Sequence, residues 1–68
     1  MSKKFIEVNT VHPVSGGVLA GGKKIVNVSH IGSISEGKDG TSIIHPVSGQ
    51  NFSVAEKYDE LKRMLEIG

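Results

Sequence analysis

The sequence predicts a small α+β fold that is mainly β: about five short antiparallel strands in a sheet or partly open barrel, with one C-terminal helix packed on it. Three observations carry this expectation. The chain has 68 residues, enough for a single domain (1–68) with one core. Up to residue 54, runs rich in β-branched residues alternate with turns rich in Gly, Pro and Ser. After that point the apolar residues recur at helical spacing instead.

The elements follow in order. Residues 4–11, KFIEVNTV, read as a strand with Ile6, Val8 and Thr10 on one face and Phe5, Glu7, Asn9 and Val11 on the other. Pro13 is expected to end that strand, because proline has no N–H to give to a ladder. Ser15-Gly16-Gly17 then supplies a tight reversal. VLAGG reads as a short strand or loop closed by a second glycine pair. Residues 23–31, KKIVNVSHI, form the next strand, with Ile25, Asn27, Ser29 and Ile31 opposite Val26, Val28 and His30. Gly32 marks a bulge or bend, and SISE continues the strand. GKDG, residues 37–40, has the composition of a hairpin turn. TSIIHP is a strand, VSG turns the chain again, and QNFSV is the last strand.

The helix is expected over 53–67. Ser53-x-x-Glu56 has the pattern of a capping box, and Ala55, Tyr58, Leu61, Met64 and Leu65 form one apolar stripe. Asp59 and Arg63 stand at i,i+4 on the wet side, and Gly68 is a natural stop. Phe5 and Phe52 are assigned to the core and Tyr58 to the seam between helix and sheet.

The pentapeptide HPVSG occurs twice, at 12–16 and at 45–49. Both copies follow one β-like run and precede another, so they read as the same turn used twice. Glycine-rich turns cradle phosphate mainly at a helix N-terminus, and neither copy precedes a helix. Neither matches a P-loop or a dinucleotide fingerprint. In a symmetric oligomer, however, several such turns can converge on an axis and form a pocket that no monomer has.

Composition removes several function classes. Eight Lys and Arg balance seven Asp and Glu, for a net charge of +1, which argues against duplex DNA as the partner. The cations are uneven: Lys3, Lys4, Lys23, Lys24 and Lys38 precede residue 40, against Glu7, Glu36 and Asp39. The C-terminal segment instead carries Glu56, Asp59, Glu60 and Glu66. No apolar run approaches the roughly 20 residues of a membrane span, and MSKKFIEV lacks the apolar stretch of a signal peptide. The expected setting is the cytoplasm, with no membrane partner; the sequons at Asn27 and Asn51 then carry no meaning. Without cysteine there is neither a disulfide nor a thiolate metal site. His12, His30 and His45 lack metal-ligand spacing, so no metal is expected. No serine lies in a nucleophile elbow, and neither catalysis nor a cofactor is expected. Three aromatics are too few for a stacking platform along single-stranded nucleic acid. A core this small supplies roughly 3–5 kcal/mol, so a homo-oligomer is expected.

FIEV, then GKKIVNVSHIGSI, then GTSIIH, then a glycine turn and FSVAEKYDELKRML resemble the small flagellar FlbD-like family, which includes uncharacterised bacterial and phage relatives. Gly22, Asn27, Ile31, Ile34, Thr41, Gly49, Val54 and Glu56 occupy matching places, and HPVSGGVLAGG is longer than the link usual there. The resemblance implies a structural or regulatory protein-interaction module, and it brings no catalytic residues. The residues themselves point first to a non-enzymatic binding protein acting as a homo-oligomer. Its ligand would be phosphate-bearing and nucleotide-like, as for a phage protein that sequesters a host signal. The ligand-binding residues expected are Ser15, Gly16, Gly17, Lys23, Lys24, His45, Ser48 and Gly49. An interaction module of the FlbD-like kind is the alternative, and weak nucleic-acid binding through the lysines is the third reading.

Overall fold

Two hairpins, each specified by its own turn, are bridged by a three-residue strand. The computed structural model describes residues 4–65. Strand β1 (Phe5–Val14) pairs with β2 (Gly17–Asn27), and β3 (Ile31–Glu36) pairs with β4 (Ser42–Pro46). The short β5 (Phe52–Val54) lies between β1 and β4 and pairs with both. Every pairing is antiparallel, and the open sheet has the order β2-β1-β5-β4-β3. Helix α1 (Tyr58–Met64) follows. The chain thus adopts the small, mostly β fold with a C-terminal helix that its pattern predicts.

One face of the sheet makes the core. Ile6 and Val8 of β1, Val26 of β2, Ile44 of β4 and Val54 of β5 are buried together with Leu61 of α1. Val28, Ile31, Ile34, Phe52, Met64 and Leu65 pack around them. Full burial of Leu61 contributes about 1.5–3 kcal/mol, and its place on the expected stripe explains why α1 lies where it does. Ala55, assigned to that stripe, is exposed, because it precedes the helix.

Several local expectations are corrected. Pro13 does not end β1, which runs on to Val14. Ala55 N donates to Asn9 O at 2.7 Å, so residues 9, 11 and 13 turn their backbone groups toward β5 rather than β2. The pairing with β5 stops at Val11, so among the described residues no strand on that side calls for a donor at position 13. VLAGG is not a separate segment: β2 passes straight through Gly21 and Gly22, with a register shift opposite Thr10 and Val11. The strand expected over 23–31 breaks into a 3-10 turn at Val28–His30. Asn27 causes it, since its Oδ1 accepts from Ser29 N at 3.0 Å and Ser29 Oγ at 2.7 Å. The turn brings Val28 and Ile31 to the same core face, which simple alternation does not. Phe5 is 57% exposed rather than in the core, because it lies on the face opposite Ile6 and Val8.

The helix also begins later than position 53. Ser53 pairs within β5, opposite Val11 and Ile43, and is not free to cap. Lys57 occupies the cap position without a side-chain bond, and Asp59 and Glu60 place favourable charge in the first turn. The expected continuation to 67 and the Gly68 stop lie partly outside the described residues; at the last described turn, Leu65 N bonds Leu61 O. Glu56 is no capping residue. Its buried carboxylate turns to β1, accepting from Asn9 N at 3.1 Å on both oxygens and from Asn9 Nδ2 at 2.9 Å. Its own carbonyl accepts from the buried Ser42 Oγ at 2.7 Å. One residue therefore ties the end of β5 to both hairpins.

The HPVSG copies do read as turns. Gly16 has φ 90° between Val14 and Gly17, and Gly49 has φ 95° in the β4–β5 connection. GKDG turns the other hairpin, with Asp39 (φ 56°) and Gly40 (φ 78°) in the left-handed region. Two outcomes follow. Gly16→Ala and Gly49→Ala each lose about 1–2 kcal/mol in urea unfolding, from backbone strain alone, because open space surrounds both positions. Glu56→Ala costs about 2–3 kcal/mol by leaving Asn9 N without its charged acceptor, and Glu56→Gln, which keeps an acceptor oxygen, costs less.

Candidate functional site

The β1–β2 hairpin and the lead-in to β5 enclose an open cleft of about 580 Å³. Thr10, Val11, His12 and Pro13 line it from β1, and Gly21, Lys23 and Lys24 from β2. Gln50, Asn51, Phe52 and Ser53 complete it from the other side. Strand pairing brings these segments together: Val11 stands opposite Ser53, although more than forty residues separate them in sequence.

The irregularity in β2 shapes the cleft. Thr10 Oγ1 donates to Gly22 O at 2.8 Å, pinning the shifted backbone. A Cβ at Gly21 would lie 2.7 Å from Thr10 Oγ1 and 2.9 Å from His12 Nε2, closer than real Cβ contacts come. Glycine there lets both side chains crowd the strand and leaves the adjoining space open.

Lys24 pairs with Val8 and shares its face of the sheet, one step beyond the Ile6–Val26 pair of the core. It stands where the apolar face ends. Its ammonium lies 4.0 Å above the centroid of the Phe52 ring, a cation–π contact. Lys23, next along β2, lines the cleft too, but it pairs with Asn9 and so presents its side chain on the other face of the sheet, whereas His12 supplies an imidazole. Gln50 and Asn51 offer carboxamides, and Thr10 and Ser53 hydroxyls. None of the described residues lining the cleft is an acid. Among the described residues no group of three His, Asp or Glu is placed to hold a metal ion. No helix among them is long and apolar enough to cross a membrane.

The residues expected to bind ligand are not all gathered here. Lys23 and Lys24 line the cleft. Ser48 and Gly49 sit in the adjacent β4–β5 connection, directly before Gln50 and Asn51. Ser15, Gly16 and Gly17 form the far end of the β1–β2 hairpin and do not line the cleft. His45, in β4, lies outside it as well, with Nε2 2.9 Å from Ser35 Oγ on the neighbouring strand. The histidine in the cleft is His12, from the first HPVSG copy. Sequence reasoning also missed Gln50, Asn51 and Phe52. The signal for His12 was its place before Pro13, shared with His45; only the β1–β5 register distinguishes the two.

Gly21→Ala is expected to push Thr10 and His12 out of place, lowering stability by about 1–3 kcal/mol and shifting the amide resonances of residues 10–13 and 50–53. An assigned amide spectrum of the variant checks both the site and the extent of the change. In comparisons of the chain with known proteins, no family model, no characterised protein and no solved structure matches it.

Proposed function

We propose that this is a non-enzymatic cytoplasmic binding protein that holds a small phosphate-bearing anion in the cleft and works as a homo-oligomer. The observation that carries the reading is the composition of the cleft: Lys24 and His12 with the carboxamides of Gln50 and Asn51, and no carboxylate among its described lining residues. Ammonium groups and phosphate oxygens form charge-assisted hydrogen bonds, roughly twice as strong as neutral ones. A partly enclosed site weakens the screening such contacts suffer in water. The cleft offers ways to hold an anion and no side-chain pair arranged as nucleophile and base; the Ser35–His45 pair lies elsewhere. Sequestration of a nucleotide-like signal, as by a phage protein acting on its host, is the biological role that suits a small binder of this kind.

Self-association is supported by β2. This eleven-residue strand lies at one end of the sheet order, so its outer edge pairs with no strand among the described residues. Leu19 and Ile25 on it are 59% and 68% exposed. An unpaired edge of this length, with apolar side chains, favours pairing with a second copy. The same edge favours a second reading, a protein-interaction module of the FlbD-like kind, in which another protein takes that place.

Calorimetric titration with inorganic pyrophosphate tests the anion reading. The native protein is expected to bind saturably and more weakly as salt rises. Replacing the lysine that faces the cleft (Lys24→Gln) should reduce the affinity about tenfold or more. Absence of saturable binding by the native protein overturns it. Sedimentation separates the two uses of the edge: self-association that Leu19→Lys abolishes supports the oligomer, whereas a monomer at all concentrations favours a different partner.

A further inference from the structure

The Lys24–Phe52 contact identifies the chemical class of the anion more closely. We propose that the cleft takes a nucleotide, with its base stacked on Phe52, and that Lys24 covers that ring only until phosphate draws the ammonium away. The inference rests on the anion-binding reading above and adds the second half of the ligand.

Phe52 packs against the core cluster while also lining the cleft, so its ring forms part of the cleft wall. Lys24 Nζ stands 4.0 Å over its centroid. A lysine stem is flexible, and its ammonium over a ring is attracted by the quadrupole alone. No described acid lines the cleft to hold the ammonium by charge. An incoming phosphate offers Lys24 a fully anionic acceptor, a stronger partner than a ring face. Once the ammonium moves to it, a flat apolar surface is uncovered beside the bound phosphate.

A flat heteroaromatic group is the complement of that surface. Gln50 and Asn51 directly precede Phe52 and line the same cleft. Each carboxamide has both a donor and an acceptor, the pairing that base edges present. A cavity of about 580 Å³ lies within the size range of small-molecule sites. Phosphate, ring and carboxamides together define a nucleotide; a phosphosugar would use Lys24 and leave the ring idle. The arrangement makes the two halves of the ligand interdependent. Phosphate clears the ring, whereas a nucleoside without phosphate must displace Lys24 unaided.

Three probes separate these contributions by NMR titration: adenosine 5′-monophosphate, ribose 5-phosphate, which lacks only the base, and adenosine, which lacks only the phosphate. In the native protein the nucleotide is expected to bind about tenfold or more tightly than ribose 5-phosphate, in keeping with base–aromatic stacking. It should also move the Phe52 ring-proton resonances upfield, which ribose 5-phosphate should not. Phe52→Leu should erase the difference between the two phosphates by weakening the nucleotide. Lys24→Ala should act in opposite directions, weakening ribose 5-phosphate and strengthening adenosine, because the ring is then already uncovered. The native-protein resonances decide the matter even where a variant folds poorly. Ribose 5-phosphate bound as tightly as the nucleotide, or adenosine no better bound by Lys24→Ala, overturns this inference and leaves the anion site standing. Binding of neither phosphate overturns both.

Discussion

The carboxylate of Glu56 on the backbone of Asn9 is the contact on which the arrangement of the two halves depends. Each hairpin is closed by its own turn and needs little from the other. Between them lies only β5, three residues long, which makes two register pairs with β1. Where β5 leaves the sheet, Ala55 N still bonds Asn9 O, and Glu56 then supplies a side chain where a longer strand would have supplied a carbonyl. Ser42 Oγ holds the carbonyl of the same residue from the other hairpin. A buried carboxylate is costly unless fully hydrogen-bonded, so this contact admits few alternative geometries. It holds the hairpins at one separation, and the helix that begins two residues later is delivered with Leu61 over the core.

That separation also sets the cleft. One wall belongs to the β1–β2 hairpin and the other to the run into β5, so the site spans the junction that Glu56 locks. The core face of the sheet does not fade gradually. It passes from Ile6 opposite Val26 to Val8 opposite Lys24, and then to Thr10 opposite Gly22, where the strand shifts register. An apolar face that gives way in two steps to a cation and a backbone irregularity produces a polar recess beside a half-buried ring. In so small a protein the border of the core is where a ligand has both an apolar surface and charge to meet.

Much of the fold was legible. Alternation placed Ile6 and Val8 together, Gly16, Gly40 and Gly49 marked reversals, and the stripe through Leu61 marked the helix. The failures have physical causes. Pro13 looks like a strand end because proline lacks an N–H, yet it stays in β1 opposite Val18, on the stretch that β5 no longer pairs. Ser53-x-x-Glu56 looked like a cap because local spacing is all a sequence displays, while β5 claimed Ser53 and Asn9 claimed Glu56. Other residues have plain structural tasks that spacing does not announce: Asn27 shapes the 3-10 turn, Gly49 the β4–β5 connection, Val54 the core and Glu56 the joint.

By itself the sequence determined the fold class, the turns at Gly16, Gly40 and Gly49 and the core face of β1, because these follow from side-chain periodicity and from backbone freedom at single residues. The lysine pair was visible for the same reason: it is contiguous. Only the tertiary structure decided that Lys24 meets Phe52, that His12 rather than His45 lines the cleft, and that Ser15-Gly16-Gly17 lies apart from it. Those facts depend on the register of β1 against β5, which pairs residues more than forty apart. Register is set by the packing of a whole face and by one carboxylate, and neither is a local property of the chain.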